Sequence, residues 1–229
     1  RFAELGRLST ALFHDLANHL STVSLDIEGL TTKDQSDMMR RISQNVGHID
    51  TIVKRVRQQI RGESSIEVFK IMDEIDEVIK ILKPMARQAG ISVVVERDKS
   101  VGASLSYEGD VTRFRQIILN VLANGIEAYP PQPETNDARQ VILRLKRQQT
   151  VLHIEAIDHG AGIGAEEQPK IFRPFYTTKE KGMGIGLFIV QQVVEKDFNG
   201  MISLVSDEHQ GTTVSITLPK SYYAKTAGN

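Results

Sequence analysis

The sequence contains no cysteine among its 229 residues, which excludes disulfide bonds and cysteine chemistry. The net charge is −1 at pH 7, so no global field of one sign attracts nucleic acid or an anionic membrane. No apolar run approaches the roughly 20 residues that a membrane-spanning helix needs, and no signal peptide is visible. We therefore expect no nucleic-acid partner and no membrane contact within this stretch of chain.

The hydrophobic content of 40% and the charged content of 25% are ordinary for a globular protein, and the length suits one large or two modest domains. The chain begins at Arg1, in the middle of a helical pattern and without Met. We interpret it as a fragment of a longer protein, expected in the cytoplasm, whose upstream part would decide whether the whole protein is anchored in a membrane.

The first 62 residues show only helical periodicity. Apolar residues recur at three- and four-residue steps from Leu5 to Leu30, and Thr32 and Gln35 match a capping box that begins a second apolar helix. Two helices joined by a short turn cannot enclose a core alone. We therefore predict a helical hairpin over residues 1–63 that forms a homodimer through residues 1–62, as a four-helix bundle.

From about residue 64 the pattern changes to mixed helix and strand. This predicts an α+β chain, with a second domain over residues 64–222 and a C-terminal tail over 223–229. The predicted elements are helices at 72–89, 110–128 and 185–197, and strands at 91–95, 141–145, 151–157, 201–205 and 213–218, of which 141–145 and 151–157 form a hairpin.

Three glycines, Gly182, Gly184 and Gly186, lead directly into an apolar helix. Such a turn lets backbone amides approach phosphate oxygens. Taken alone, the spacing is equally compatible with a tight turn at the start of a helix that binds no phosphate. It is not a dinucleotide-binding fingerprint, because it does not follow the first strand of a parallel βαβ unit.

Asp158 ends an apolar strand and precedes Gly160 and Gly162. An ionised carboxylate only accepts hydrogen bonds, so this one would accept from the exocyclic amine of adenine and reject the keto oxygen of guanine. The two glycines would let the chain turn under the base. The alternative is an ordinary strand-ending aspartate in a turn.

Asn120 and Asn124 lie four residues apart on one face of a strongly apolar helix. Polar groups that face a core need partners, and a hard cation bound by an amide oxygen is one such partner. Hydrogen bonds at the helix end are the alternative. Glu127, one turn further on, is best interpreted as a surface acid.

His14 falls roughly opposite the apolar stripe of the first helix, so we expect it to be exposed. A lone exposed histidine is usually incidental. Here Asp15 follows directly, and its carboxylate would accept a proton from one ring nitrogen and leave the other a better nucleophile.

Taken together, these patterns resemble the catalytic core of sensor histidine kinases, within the wider family shared with gyrase, Hsp90 and MutL ATPases. The likeness covers nearly the whole chain. Its motifs are residues 115–124 (N box), 158–162 (G1 box), 171–179 (F box with a short lid) and 182–187 (G2 box), in the family's order, together with residues 13–18, which resemble the H box. The resemblance implies a sandwich of the Bergerat, or GHKL, ATP-binding type.

The resemblance also implies roles for individual residues. Asn124 would bind Mg²⁺ and Asp158 would bind the adenine amine, with Tyr129 as a weaker candidate beside the base. Asn18 would position water for dephosphorylation of a partner. The remaining implied nucleotide-site residues are Asn120, Gly160, Gly162, the lid anchors Phe172 and Phe175, Thr178, the phosphate-screening Lys179 and Lys181, and Gly182, Gly184, Gly186 and Leu187.

Two residues depart from the family pattern. His19 stands where the H box usually has proline, so the first helix keeps an amide donor and should be straighter there. Gly125 replaces the usual alanine after the magnesium asparagine, which should reduce helix stability slightly.

The resulting hypothesis is a protein-histidine kinase that uses ATP and Mg²⁺ to phosphorylate itself on His14. It would then donate the phosphoryl group to an aspartate in the receiver domain of a response regulator, and dephosphorylation of that partner is a second expected activity. The alternatives are a dimeric nucleotide-binding scaffold or phosphatase-biased pseudokinase, and an ATPase of the same superfamily. That ATPase class typically has glutamate near the position of Asn120.

Overall fold

The computed structural model describes residues 66–130, 139–179 and 184–219. The predicted N-terminal hairpin with His14, Asp15 and Asn18 lies outside this part of the chain, as does the tail at 223–229. The described elements, in chain order, are β1 (Ile66–Lys70), α1 (Ile71–Gln88), β2 (Ser92–Arg97), β3 (Ser106–Asp110), α2 (Val111–Glu127), β4 (Gln140–Gln148), β5 (Val151–Asp158), α3 (Gly186–Gln192), β6 (Met201–Asp207) and β7 (Gly211–Pro219).

Five of the strands form one mixed sheet in the order β2-β4-β5-β7-β6. Strand β2 runs parallel to β4, and the other neighbouring pairs are antiparallel. The register sets Asp158, the last residue of β5, opposite Val141 on one side and Thr212 on the other. Strands β1 and β3 form a separate antiparallel pair.

One face of the five-stranded sheet is buried under the helices. Strand residues alternate between the two faces, and the buried apolar residues of β4, β5 and β7 are Val141, Leu143, Leu145, Leu152, Ile154, Ala156, Val214, Ile216 and Leu218. Helix α2 contacts α1, α3, β4 and β5. It is therefore the central helix of the layer, and only a small part of its surface remains free to contact a ligand.

Helix α2 begins at a side-chain cap. The carboxylate of Asp110 accepts a hydrogen bond from the backbone amide of Arg113 at 3.0 Å, which satisfies one of the amides that the first helical turn leaves without a partner. At the other end, Asn120, Asn124 and Glu127 lie on the last two turns. The cap therefore fixes where the helix begins, and its length brings these polar residues to the edge of the sheet where β5 ends.

The helices and strands predicted between residues 72 and 157 are confirmed, including the β4–β5 hairpin, and so are the last two strands. Two predictions need correction. Residues 106–109, between the predicted strand at 91–95 and the predicted helix at 110–128, were expected to form a polar loop. Residues 106–110 instead form β3, because pairing with β1 overrides their weak strand propensity. The predicted helix over 185–197 is α-helical only to Gln192 and continues as a π-helical turn, Val193–Asp197.

Candidate functional site: a nucleotide pocket at one edge of the sheet

Asn120 and Asn124 lie next to the glycine turn that follows them by more than 60 residues in sequence. A Cβ atom on Gly186 would lie 3.3 Å from Oδ1 of Asn120 and 3.7 Å from the amide atoms of Asn124. The structure therefore brings the predicted metal ligand and the third glycine of the G2 motif together. Any side chain at position 186 would fill the space beside both amides.

The two asparagine amides differ in their hydrogen bonds. Nδ2 of Asn120 donates to the carbonyl of Gln116 at 2.8 Å, one turn back along α2, which fixes the amide and turns its oxygen away from the helix. The side-chain amide of Asn124 makes no hydrogen bond within the described ranges, although the residue is half-buried. An amide oxygen without a protein partner at this position fits a hard cation such as Mg²⁺.

Asp158 is buried at the end of β5, with 7% of its surface exposed. Its Oδ1 accepts a hydrogen bond from the backbone amide of Gly160 at 2.9 Å. Burial raises the pKa of the Asp158 carboxyl, while backbone hydrogen bonds from Gly160 and Thr212 and the positive charge of Lys179 act in the opposite direction. The result is a buried, oriented hydrogen-bond acceptor, which is the group needed to recognise an exocyclic amine.

The glycines after Asp158 are required by close backbone packing. A Cβ atom on Gly160 would lie 2.5 Å from the carbonyl oxygen of Ala128, and one on Gly162 would lie 2.0 Å from that of Asp207. Gly162 also has a φ of +69°, in the left-handed region that favours glycine. The loop after β5 is therefore held between the end of α2 and the β6–β7 turn, which fixes the position of Asp158.

Tyr129 links the loop after β5 to the start of β4. Its hydroxyl accepts a hydrogen bond from the backbone amide of His159 at 3.0 Å and donates one to the carbonyl of Gln140 at 2.7 Å. The guanidinium of Arg139 lies 4.8 Å from the ring centroid. Tyr129 thus positions the residue after Asp158, a contact that differs from the predicted role of flanking a base.

Sequence reasoning missed a pair of buried hydroxyl residues under the same loop. Ser206 Oγ accepts from the backbone amide of Ile163 at 2.8 Å, donates to the carbonyl of Gly211 at 2.8 Å, and lies 2.9 Å from Oγ1 of Thr212. Thr212 in turn pairs with Asp158 across the strands. Nothing in the sequence singles these two residues out, because β6 and β7 also carry Ser203, Thr213, Ser215 and Thr217.

The F-box segment is fastened to the glycine turn by its backbone. The amide of Phe175 donates to the carbonyl of Gly184 at 2.9 Å, and both residues have positive φ angles, +66° and +63°. Phe175 and Leu187 are half-buried and pack against the core. Phe172 is also half-buried, whereas its neighbour Ile171 is the fully buried apolar residue of this segment.

The residues of the lid turn (residues 177–179) are more exposed. The hydroxyl of Thr177 accepts a hydrogen bond from the backbone amide of Lys179 at 3.1 Å, and Thr178 faces solvent. Nζ of Lys179 lies 2.7 Å from the carboxylate of Glu127. Glu127 is a surface residue, as expected, but it contacts the lid turn. Lys181 and Gly182 lie outside the described residues.

A separate cavity of about 380 Å³ lies near the start of β5, at the opposite end of that strand from Asp158. Its lining includes Ser100, whose hydroxyl already accepts from the amide of Arg147 at 3.0 Å, and Ser106, whose hydroxyl donates to the carbonyl of Ser104 at 3.3 Å. It contains none of the acid, amide or glycine groups described above, so we do not assign the nucleotide to it.

Fold and site together define an ATP-binding α/β domain of the GHKL type. Residues 109–222 match the model of the histidine kinase-, DNA gyrase B- and HSP90-like ATPase family, and this domain belongs to that family.

The chain is similar to proteins named as sensors and kinases. It is 27% identical over 229 residues to the C4-dicarboxylate transport sensor protein DctS of Rhodobacter capsulatus, covering 96% of this chain and 34% of DctS. Identity with sporulation kinase D of Bacillus subtilis is 28% over 223 residues, covering 95% of this chain and 42% of that protein. The chain therefore spans less than half the length of these two curated relatives.

Among solved structures, the catalytic domain of histidine kinase ThkA matches with a TM-score of 0.58 and 28% identity, covering 68% of this chain and 96% of ThkA's domain. Within the described ranges, no helix combines the length and apolar character that crossing a membrane requires.

Proposed function

We propose that this chain is the catalytic core of a sensor histidine kinase, which uses ATP to phosphorylate His14 and passes the phosphoryl group to an aspartate of a response regulator. The observation that carries the proposal is the meeting of three distant motifs at one sheet edge. Gly186 lies against Asn120 and Asn124, and Asp158 is buried beside the end of the same helix. Family membership and the sensor and kinase relatives support it.

In this proposal the carboxylate of Asp158 accepts a hydrogen bond from the exocyclic amine of adenine. The loop that carries Gly160 and Gly162 turns under the base, and Tyr129 keeps that loop in place through His159. The glycine turn at Gly184 and Gly186 leaves room for phosphate oxygens. Guanine presents a keto oxygen where adenine presents an amine, so Asp158 would exclude it.

Asn124 is the residue that would bind Mg²⁺, with its amide oxygen as the ligand. The ion would neutralise charge on the transferring phosphates, which is its usual contribution to phosphoryl transfer. Lys179, and Lys181 beyond the described residues, would add positive charge on the other side of the phosphates. Phosphoryl transfer needs little covalent chemistry from the protein, so positioning and charge neutralisation are the main tasks of this site.

The acceptor belongs to the proposed first domain, residues 1–63, a helical hairpin that dimerises into a four-helix bundle and is followed by the catalytic domain at 64–222. A neutral ring nitrogen of His14 attacks the γ-phosphorus, an N–P bond forms, the bond to the bridging oxygen breaks, and ADP leaves. Asp15 accepts the proton of the other ring nitrogen as the N–P bond forms. Asn18 would orient water for dephosphorylating the partner.

The test is incubation with γ-labelled ATP and Mg²⁺, comparing the native chain with His14→Gln. We expect an acid-labile, base-stable label on the native chain, as phosphohistidine gives, and no label on the variant. Equal labelling of both would reject His14 as the acceptor. Tight ATP binding without label would favour the scaffold or pseudokinase alternative, and release of free phosphate without label would favour the ATPase.

A further inference from the structure

Glu127 and Lys179 form an ion pair between the end of α2 and the lid turn. The ammonium nitrogen lies 2.7 Å from Oε2, the residues are 52 positions apart, and their side chains are 44% and 38% exposed. Such an exposed pair contributes little to folding stability. The position of the ion pair in the pocket is therefore more informative about its role than its contribution to stability.

Glu127 lies three residues after Asn124 on α2, which places it one turn further along and on nearly the same face of the helix. Its carboxylate thus lies at the end of the pocket where the proposed Mg²⁺ ligand stands.

Lys179 is held toward the pocket by its own turn. The Thr177 hydroxyl accepts from its backbone amide at 3.1 Å, and the bond from Phe175 to Gly184 anchors the segment just before it. Burial raises the pKa of Asp158, and the positive charge of Lys179 is near enough to that carboxyl to act in the opposite direction. The ammonium group of Lys179 can therefore pair either with Glu127 or with a bound polyphosphate.

We infer that Glu127 is a positioning residue for Lys179: it holds the ammonium group beside α2, and nucleotide phosphates compete with its carboxylate for that group. The inference rests on the proposed function, since it requires a polyphosphate in this pocket. Because ATP must displace Glu127 to gain Lys179, the carboxylate lowers ATP affinity. Part of that reduction should disappear when Lys179 is removed.

The experiment is a double-mutant cycle on ATP affinity, measured by isothermal titration calorimetry with the whole chain and Mg²⁺. Glu127→Gln should tighten ATP binding by about two- to fivefold, the size expected from an exposed ion pair. Lys179→Met should weaken it. In the Lys179→Met background, Glu127→Gln should change the affinity by less than about 1.5-fold, since a competitor has no effect once its target is gone.

Glu96→Gln is the matched control. Glu96 is an equally exposed glutamate whose carboxylate pairs with Arg144 at 2.9 Å on the other side of the sheet, and its substitution should leave ATP affinity unchanged. If Glu127→Gln tightens binding equally in both backgrounds, the carboxylate acts by repelling phosphates and does not act through Lys179, which overturns the inference. Unchanged or weaker ATP binding by Glu127→Gln overturns it as well.

The cycle also separates this inference from the proposed function. If the native chain binds no ATP, the proposed function fails. If the native chain binds ATP and the coupling between Glu127 and Lys179 is absent, the positioning role alone fails.

Discussion

The proposed nucleotide pocket has two halves that are built in different ways: the base half around Asp158, where we propose that the base binds, and the phosphate half around Lys179, where we propose that the phosphates bind. Around Asp158 the chain is buried, joined by backbone hydrogen bonds, and packed so closely that Gly160, Gly162 and Gly211 have no space for a side chain. Around Lys179 the main contact is an exposed ion pair with Glu127. A base presents a fixed pattern of hydrogen-bond donors and acceptors, so rigidly held protein groups can match it. A phosphoryl group moves during the reaction, so contacts that break and re-form at a small cost in free energy are better suited to bind it.

The largest expected effect is on the stability of the base half. Gly162→Ala would place a Cβ atom 2.0 Å from the carbonyl oxygen of Asp207, at a φ of +69°. We expect a loss of about 3 kcal/mol in the free energy of unfolding, measured by urea denaturation.

Gly102→Ala is the control for this prediction, because no atom lies within 4 Å of the added methyl group; its stability should be native within about 0.5 kcal/mol. Native stability of Gly162→Ala would mean that the loop after β5 adapts, and the contrast between the two halves would be lost.

A second substitution removes one hydroxyl from the base half. Tyr129→Phe deletes the bridge between the amide of His159 and the carbonyl of Gln140, and we expect a loss of about 1–2 kcal/mol in stability together with weaker ATP binding.

Tyr176→Phe, in the other half, is the comparison. Its hydroxyl lies near the half-buried Glu167 and bridges no two backbone groups within the described residues, so the effect should be clearly smaller. Equal effects of the two substitutions, measured in the same denaturation series, would show that the hydroxyl of Tyr129 has no special positioning role.

The buried carboxylate predicts a pH dependence. Burial raises the pKa of Asp158 in the folded state, so the unfolded chain loses this proton first as pH rises from about 3.9, and native stability falls until the folded-state pKa is passed. Asp158→Asn has no such proton to lose. The variant should therefore be more stable than the native chain near pH 7, by up to about 1 kcal/mol.

That advantage should shrink as the pH is lowered from 7 toward the unfolded-state pKa of about 3.9, because the native carboxyl takes up its proton before the unfolded chain does. The check is thermal unfolding of both proteins across this range. A variant less stable than the native chain at pH 7 would indicate that the hydrogen bonds from Gly160 and Thr212 outweigh the cost of burial.

The smallest expected effect on stability belongs to the phosphate half. Lys179→Met breaks the exposed pair with Glu127 and should change the free energy of unfolding by less than about 0.5 kcal/mol, while ATP affinity falls. A large loss of stability in urea denaturation would show that the lid turn supports the fold, contrary to the division described above.

Local spacing predicted that Asp158 ends a strand and that Asn120 and Asn124 share one face of a helix, and the structure confirms both positions. Their roles toward a base and a metal ion came from family resemblance and stay predictions. The contact of Asn120 and Asn124 with Gly186 was expected only through family resemblance.

The rest depends on strand register and loop packing. Thr212 lies beside Asp158 because β7 pairs with β5 in one register, and Glu127 meets Lys179 across 52 residues. The departure at Gly125 has a structural counterpart: a Cβ atom there would lie 2.9 Å from Val141, so the cost in helix propensity is offset by closer packing of α2 on β4.

The most direct test of the account is calorimetric titration of the native chain and of Asp158→Asn with ATP and GTP, each with Mg²⁺. A buried carboxylate that accepts the adenine amine predicts that the native chain prefers ATP by about 100-fold or more. The variant should lose about 10- to 100-fold in ATP affinity while it remains folded. Equal affinity for the two nucleotides, or native ATP affinity in Asp158→Asn, would contradict the assignment of this pocket.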